Sequence, residues 1–257
     1  MKIGFMNHPR KNVIEEIEWG FKNNFDFIDL TYEPPSNEKL DPKETSDLLK
    51  KYELEAVGHT NPNLPAIFPI KEIRDSSIRE LKKAARFFKD ANIKKMNIHP
   101  FYYHHHSDAE EKFQWNIEVL KSVNQYCQEL EIELMLENYF HPFESVDNFL
   151  RIVKLIPDLK VHLDIGHLNV TSEDITEDLT DFFTEFGDRI IHLHAHDNHK
   201  TGDEHLPIGC GTIKWPSIVK ILKSFGYNKT ITLEVFSHDR DYLIMSKNKL
   251  KNLWDKT

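Results

Sequence analysis

Six short apolar runs in this chain of 257 residues end in histidine or carboxylate side chains, which are common protein ligands of divalent metal ions. The runs and their polar endings are LEAVGHT at His59, KKMNIHP at His99, IELMLEN at Glu137, KVHLDIGH at Asp164 and His167, IIHLHAHD at His194, and TITLEVF at Glu234. One such residue alone is more often a helix cap or a hydrogen-bonded polar group than a ligand. If the endings meet, however, burying them together without a cation would cost several kcal/mol for each unpaired charge.

The same runs predict β-strands, and stretches with helical spacing separate them. Eight strands are predicted, over residues 2–6, 25–32, 54–60, 94–100, 132–138, 160–167, 190–197 and 230–236. Apolar residues recur every three or four positions within 78–88 and within 113–130, which is typical of helices. Asp41 is predicted to start one helix, and Thr171 and Ser172 to start another. The sequence therefore predicts strands and helices in alternation.

Eight strand–helix units in about 250 residues are typical of a closed α/β barrel of the (β/α)₈ or TIM type. A doubly wound dinucleotide fold would need a glycine-rich first turn, and the first turn here reads MNHPRKN. We find no linker, internal repeat or low-complexity stretch in the sequence. We therefore expect one domain over residues 1–257.

Composition argues against several other classes of protein. A formal net charge of −9 argues against a general affinity for nucleic acid, although local charge or bound metal ions would weaken this conclusion. Cys127 and Cys210 are too few and too distant for a disulfide framework. No apolar run reaches the roughly 18 residues that a membrane span requires, and no targeting segment is evident, so we expect no membrane partner and a cytoplasmic location.

The barrel prediction places the polar endings together, because parallel strands of a closed barrel all direct their C-terminal ends to one mouth. The four side chains predicted to bind the metal ion directly are Glu137, Asp164, His194 and Glu234. Imidazole and carboxylate together favour Zn²⁺, Mn²⁺, Co²⁺ or Fe²⁺, with Mg²⁺ a further option. Asp203 and His205 are additional ligand candidates, ahead of Gly209 and Gly211, which would let a loop turn tightly over the mouth.

These segments, from KIGF through GHTNPNLP, NIHP, LEN, LDIGH, HLHAHDN and DEHLPIGCG to TLEVF, resemble the xylose isomerase-like TIM-barrel superfamily. Within it they are most similar to the sugar phosphate isomerase/epimerase group, which is related to the type IV AP endonucleases (AP endonuclease family 2). The resemblance implies a metal-dependent isomerase or epimerase that acts on a sugar or sugar phosphate through an enediolate. It implies that Glu137 and Glu234 are the catalytic acid and base and that His167 contacts the substrate. His8 and Glu33, which end the first two strands, are further predicted substrate contacts.

Two other functions stay open at the level of sequence. The chain also resembles the ligand set of an endonuclease IV-like trinuclear zinc phosphodiesterase that acts at abasic sites in DNA. That set comprises His59, His99, Glu137, Asp164, His167, His194, Asp203, His205 and Glu234. The DNA-reading segments of those endonucleases have no counterpart in KIGFMNHP or IDLTYEPP, so nucleic acid is the less favoured partner. The other alternative is a metal- or ligand-binding barrel without catalysis.

Three further expectations concern two groups of histidines outside the predicted cluster and the oligomeric state. The tract His104–His106 is interpreted as a solvated or substrate-gating segment rather than a metal site. His162 and His192 lie within strands and are expected to point away from the mouth cluster or into the helical layer. Homodimers are common in the group that the chain resembles, so a homodimer is one expected assembly.

Overall fold

Eight parallel strands pair in chain order and close into a barrel in this computed structural model, which describes residues 1–34, 39–102, 107–139 and 146–257. The strands are β1 (Lys2–Met6), β2 (Phe27–Tyr32), β3 (Glu55–Thr60), β4 (Lys95–Ile98), β5 (Glu133–Glu137), β6 (Lys160–Asp164), β7 (Ile190–Ala195) and β8 (Thr230–Leu233). Pairing of β8 with β1, with Lys2 opposite Thr230, closes the ring. The predicted (β/α)₈ barrel is confirmed.

Helices surround the barrel and follow the strands. In the described part of the chain they are α1 (Val13–Lys22), α2 (Pro42–Lys51), α3 (Lys71–Asp90), α4 (Ala109–Glu129), α5 (Val146–Leu155), α6 (Ile165–Thr171), α7 (Ile175–Phe186), α8 (Trp215–Ser224) and α9 (Asp241–Lys256). Asp41 starts α2 as predicted, and its side chain accepts a hydrogen bond from the Glu44 backbone N–H at 2.8 Å. None of the helices in the described ranges is long and apolar enough to cross a membrane.

Several predicted strands were too long, including the eighth, which ends at Leu233 instead of residue 236, and helix caps explain the two wrong boundaries on either side of α6. The sixth strand ends at Asp164 instead of residue 167, because the Asp164 side chain accepts the His167 backbone N–H and so starts α6. Thr171 and Ser172 do not start a helix, since α6 ends at Thr171. The next helix is capped by Asp174, whose side chain accepts the Thr176 N–H. A capping aspartate after a strand therefore resembles one more strand residue in sequence.

The barrel interior changes from apolar to polar toward the mouth. Phe27, Val57, Met135 and Ile191 form a small apolar cluster separate from the main core, which lies between the strands and helices. Side chains two positions apart in a strand share a face. Residues two positions beyond the first three of these are Asp29, His59 and Glu137, all buried. The upper interior of the barrel is therefore lined by groups that can be charged.

Candidate metal centre

The four side chains predicted to bind a metal ion directly lie together at the mouth. Glu137 and Asp164 end β5 and β6, His194 lies in β7, and Glu234 follows β8. One ligand atom from each lies within 4.8 Å of the others. His194 Nδ1 is 2.9 Å from a Glu234 oxygen, 3.6 Å from Asp164 Oδ2 and 3.7 Å from Glu137 Oε1. All four residues are buried.

The negative charges of this group and its unpartnered Asp164 oxygen fit a divalent cation. Burial by itself raises the pKa of a carboxyl group, but nearby histidines reverse the effect and hold the pKa values of Glu137 and Asp164 well below the usual range. Glu234 shows the same direction of pKa shift, with His194 and His205 opposing burial. Asp164 Oδ2 is buried without a hydrogen-bond partner. Three ionised carboxylates and one imidazole in such a space form a donor set suited to Zn²⁺, Mn²⁺, Co²⁺ or Fe²⁺.

His59 and His99 extend the group on the side of β3 and β4. With Glu137 they form a second set of close ligand atoms, and His99 Nε2 lies 3.0 Å from Glu137 Oε2. Burial and the neighbouring His99 lower the pKa of His59 to about 4. Its imidazole is therefore neutral near pH 7, which is the form that binds metal. Glu33, which is partly buried, faces His59 at 3.9 Å.

A third set lies on the opposite side and includes a histidine that sequence reasoning missed. Asp203 Oδ2 lies 3.3 Å from His167 Nε2 and 3.0 Å from His205 Nε2. His196 was not predicted as a ligand, yet its Nε2 lies 3.2 Å from Asp164 Oδ1 and 3.4 Å from Asp203 Oδ1. Neither ring nitrogen of His196 has a hydrogen-bond partner, although the ring is fully buried. The alternation in HLHAHD, which places His196 on the same face as His194, could have identified it.

Two buried asparagines orient the carboxylate ligands, and the sequence reasoning had assigned them no role. Asn97 Nδ2 donates to Glu137 Oε2 at 2.5 Å. Asn138 accepts the Asp164 backbone N–H through Oδ1 at 2.6 Å and donates from Nδ2 to the Asp164 carbonyl oxygen at 3.0 Å. Its own carbonyl oxygen lies 3.0 Å from His167 Nδ1. These bonds fix the ends of β5 and β6 relative to each other, so the candidate ligands Glu137 and Asp164 are held in place by the protein itself.

The loop from β7 to α8, which carries Asp203 and His205, is anchored by a buried carboxylate. Asp197 Oδ2 accepts hydrogen bonds from the Gly209 backbone N–H at 2.7 Å and from Trp215 Nε1 at 2.9 Å. Gly209 has a φ of +80°, a conformation that favours glycine. The tight turn that we expected from the glycines is therefore present and holds the loop at the mouth.

The expectation for His162 and His192 was wrong, because both side chains point into the barrel. His162 Nδ1 lies 3.2 Å from Glu137 Oε2, and the His162 and His192 ring centroids are 4.7 Å apart. Both residues are fully buried. The two-residue period of a strand explains their direction, since His162 shares a face with Asp164, and His192 with His194.

His8 lies apart from the buried cluster. It is exposed in the loop after β1, where its Nδ1 accepts the Arg10 backbone N–H at 3.1 Å. The tract His104–His106 lies outside the described residues. Cys127 is buried, Cys210 is exposed and both are free thiols.

The fold and the site together define a (β/α)₈ barrel with a candidate metal centre at its C-terminal mouth. Residues 17–253 match the family described as the xylose isomerase-like TIM barrel, and the chain belongs to that family. The uncharacterized protein MJ1614 of Methanocaldococcus jannaschii is 30% identical to this chain over 210 residues, which cover 75% of this chain and 76% of that protein.

Two solved structures illustrate the likeness in fold. A D-tagatose 3-epimerase-like protein superposes with a TM-score of 0.88 at 27% identity, covering 100% of this chain and 98% of its own. The IolI protein, with a bound zinc atom, has a TM-score of 0.80 at 16% identity and covers 100% of this chain and 99% of its own, a likeness in fold alone. Sugar epimerases are thus among the structural neighbours of this chain.

Proposed function

We propose that this protein is a divalent-metal-dependent isomerase or epimerase of a sugar or sugar phosphate. The observation that carries the proposal is the meeting of Glu137, Asp164, His194 and Glu234 within 4.8 Å at the barrel mouth. Membership of the xylose isomerase-like family and the likeness to a D-tagatose 3-epimerase-like protein support the same class of reaction. An ion bound among these four side chains would polarise a carbonyl and a neighbouring hydroxyl oxygen of the sugar.

The two glutamates are suited to move a proton at the carbon beside that carbonyl. Glu137 ends β5 and Glu234 follows β8, and nearby histidines lower the pKa of both carboxyl groups, which favours the ionised form that can accept a proton. One glutamate takes the proton as the C–H bond breaks, and the bond's electron pair forms the C=C bond of an enediolate. If the other glutamate takes up a proton from solvent and gives it to the opposite face, the carbon is inverted. If a proton returns to the neighbouring carbon, the carbonyl moves and the reaction is an isomerisation.

Side chains around the ligands would bind the rest of the sugar. Glu33 lies 3.9 Å from His59, and burial, reinforced by the charge of Glu234, raises its pKa. We propose that Glu33 accepts a hydrogen bond from a sugar hydroxyl. His167, between Glu137 and Asp203, would contact the substrate close to the reacting carbon. His8, exposed beyond β1, would contact the outer end of a longer substrate.

Exchange of solvent deuterium into ketoses tests this proposal directly. The protein, loaded with Mn²⁺ or Co²⁺, should incorporate deuterium at the carbon beside the carbonyl of at least one ketose or ketose phosphate. Glu137→Gln and Glu234→Gln should each lower the exchange rate by roughly 10²–10⁴-fold, the usual contribution of general acid–base catalysis. Glu204→Gln, which alters an exposed glutamate paired with His199, is the matched control and should leave the rate unchanged. Exchange at the normal rate in either site variant would refute the assigned roles.

A trinuclear phosphodiesterase is the second candidate, favoured by the additional sets of close ligand atoms beside the four-residue centre. His59 and His99 adjoin Glu137, and His196 adjoins both Asp164 and Glu234. Four carboxylates, counting Asp203, carry four negative charges, so three divalent ions would leave two positive charges to bind a phosphate. Metal analysis of the purified protein separates the candidates. Three tightly bound ions together with cleavage of a DNA duplex at an abasic site would favour hydrolysis over isomerisation.

A further inference from the structure

A carboxylate inside the barrel lies directly behind the candidate metal centre. Asp29, in the middle of β2, is fully buried and does not belong to the four-residue centre. Its Oδ2 lies 2.8 Å from His194 Nε2 and 3.2 Å from His192 Nε2, and it accepts a hydrogen bond from Thr232 Oγ1 at 2.9 Å. Asp29 thus contacts a proposed ligand on the side that faces away from the mouth.

This contact determines which nitrogen of His194 can bind a metal ion. An ionised carboxylate only accepts hydrogen bonds, so the His194 nitrogen that faces Asp29 must carry the proton. The other nitrogen, Nδ1, then offers its lone pair to the space between the Glu234, Asp164 and Glu137 oxygens, which lie 2.9, 3.6 and 3.7 Å away. Rotation of the ring would bring a protonated nitrogen to the metal side and break the bond to Asp29.

The surroundings of Asp29 limit the other ways in which the ring could be held. His192 is fixed by Thr230 Oγ1, 2.8 Å from its Nδ1, so its Nε2 is directed at Asp29. Thr232 pairs with His194 in the register between β7 and β8, and its hydroxyl donates to the same carboxylate oxygen. Asp29 therefore joins β2 to β7 and β8 across the barrel interior. Its Oδ2 is the oxygen on which these contacts converge.

We propose that Asp29 is a positioning residue that fixes the tautomer and orientation of His194, so that Nδ1 is its metal-binding atom. This inference rests on the proposed function, because it assumes that an ion binds among the four mouth residues. A carboxylate behind a metal-binding histidine also raises the basicity of the ring. Loss of such a partner lowers metal affinity by about 10–100-fold in known sites. We expect the same loss for Asp29.

Metal titration of the full chain tests the proposal without an enzyme assay. Metal-free wild type and Asp29→Asn are titrated with Co²⁺, and the visible absorption of the bound ion gives both the affinity and the ligand geometry. Asp29→Asn should bind Co²⁺ about 10–100-fold more weakly and with an altered spectrum. Asp26→Asn is the matched control, because Asp26 is an exposed residue near the start of the same strand and its side chain accepts the Ile3 N–H. That variant should bind Co²⁺ as wild type does.

A second measurement needs no variant of Asp29 and so stands even if Asp29→Asn does not fold. Histidine ¹H–¹⁵N spectra of the Zn²⁺-loaded wild type, assigned with His194→Gln, should show the ion on His194 Nδ1 and the proton on Nε2. Zinc on Nε2, or wild-type Co²⁺ affinity in a folded Asp29→Asn, would overturn the role of Asp29 and leave the proposed function standing. Failure of the wild type to bind any divalent ion would overturn the proposed function and this inference together.

Discussion

Asp164 caps a helix in the structure and is a proposed metal ligand, and mutation can separate these two roles. Its Oδ1 accepts the His167 backbone N–H at 2.7 Å and caps α6, whereas its Oδ2 has no hydrogen-bond partner and faces His194 Nδ1 at 3.6 Å. Asparagine caps a helix about as well as aspartate but has no negative charge. Asp164→Asn should therefore keep the cap and lose the metal ligand, and Asp164→Ala should lose both.

The expected magnitudes follow from these two contacts. Loss of a helix cap costs about 1 kcal/mol. For a chain of this size that is roughly 2–4 °C in Tm, so metal-free Asp164→Ala should melt that far below metal-free Asp164→Asn. A divalent ion at 100 times its Kd should stabilise the wild type by about 2.7 kcal/mol. The corresponding rise in Tm is roughly 5–11 °C.

Thermal unfolding followed by circular dichroism, with chelator and then with Mn²⁺ or Zn²⁺, measures both effects in the same samples. Neither variant should gain the stabilisation by metal that the wild type gains. A metal-induced rise in Tm for Asp164→Asn equal to that of the wild type would show that Asp164 is not a ligand. Equal melting temperatures of the two metal-free variants would show that the cap of α6 contributes nothing.

Two further expectations concern the histidines of the third ligand set. Burial opposes protonation of His167 and His205, but nearby carboxylates raise their pKa values to about 10 and about 9, above the ordinary 6.5. Their contribution to the stability of the metal-free protein is therefore complete below pH 6.5 and is lost as the pH rises through 9 and 10. The free energy of unfolding, measured in urea, should fall less between pH 7 and pH 10 in His167→Gln than in the wild type. Separately, a Cβ on Gly166 would lie 2.0 Å from the His196 ring, so Gly166→Ala should lower the free energy of unfolding by about 1–3 kcal/mol. Gly202→Ala should leave the free energy of unfolding unchanged, because a Cβ on Gly202 would have no atom within 4 Å. Equal losses of stability in the two variants would contradict the packing explanation.

The strands were predictable because strands of a parallel barrel are buried on both faces and form nearly continuous apolar runs. The polar endings were predictable as a group for the same reason, since each interrupts such a run at its C-terminal end. The end of β6 was not predictable, because it depends on where the next helix begins, and Asp164 caps that helix. A single domain over residues 1–257, the homodimer and the catalytic roles of the glutamates stay predictions.

Asp29 was missed because its proposed role depends on a contact across the barrel. Asp29 and His194 are 165 positions apart and meet only because β2 and β7 face each other across the interior. Nothing local in FIDLTY indicates that contact. His196 differs, because the period of the strand already placed it beside His194, and the same rule corrects the expectation for His192. Local periodicity therefore gives the face of a side chain, whereas closure of the barrel gives its partner.

The upper interior of the barrel is more polar than stability alone would favour. Buried ionic groups are often neutral or unfavourable relative to well-packed apolar side chains, by about 1–4 kcal/mol in measured cases. The lower layer, with Phe27, Val57 and Met135, is packed in that apolar way, and the layer two residues further along the same strands is not. An ion among the mouth carboxylates would offset their mutual repulsion and give the unpartnered Asp164 oxygen a ligand bond. The metal-free protein should accordingly be the less stable form, and the polar layer fits the proposed binding of a cation.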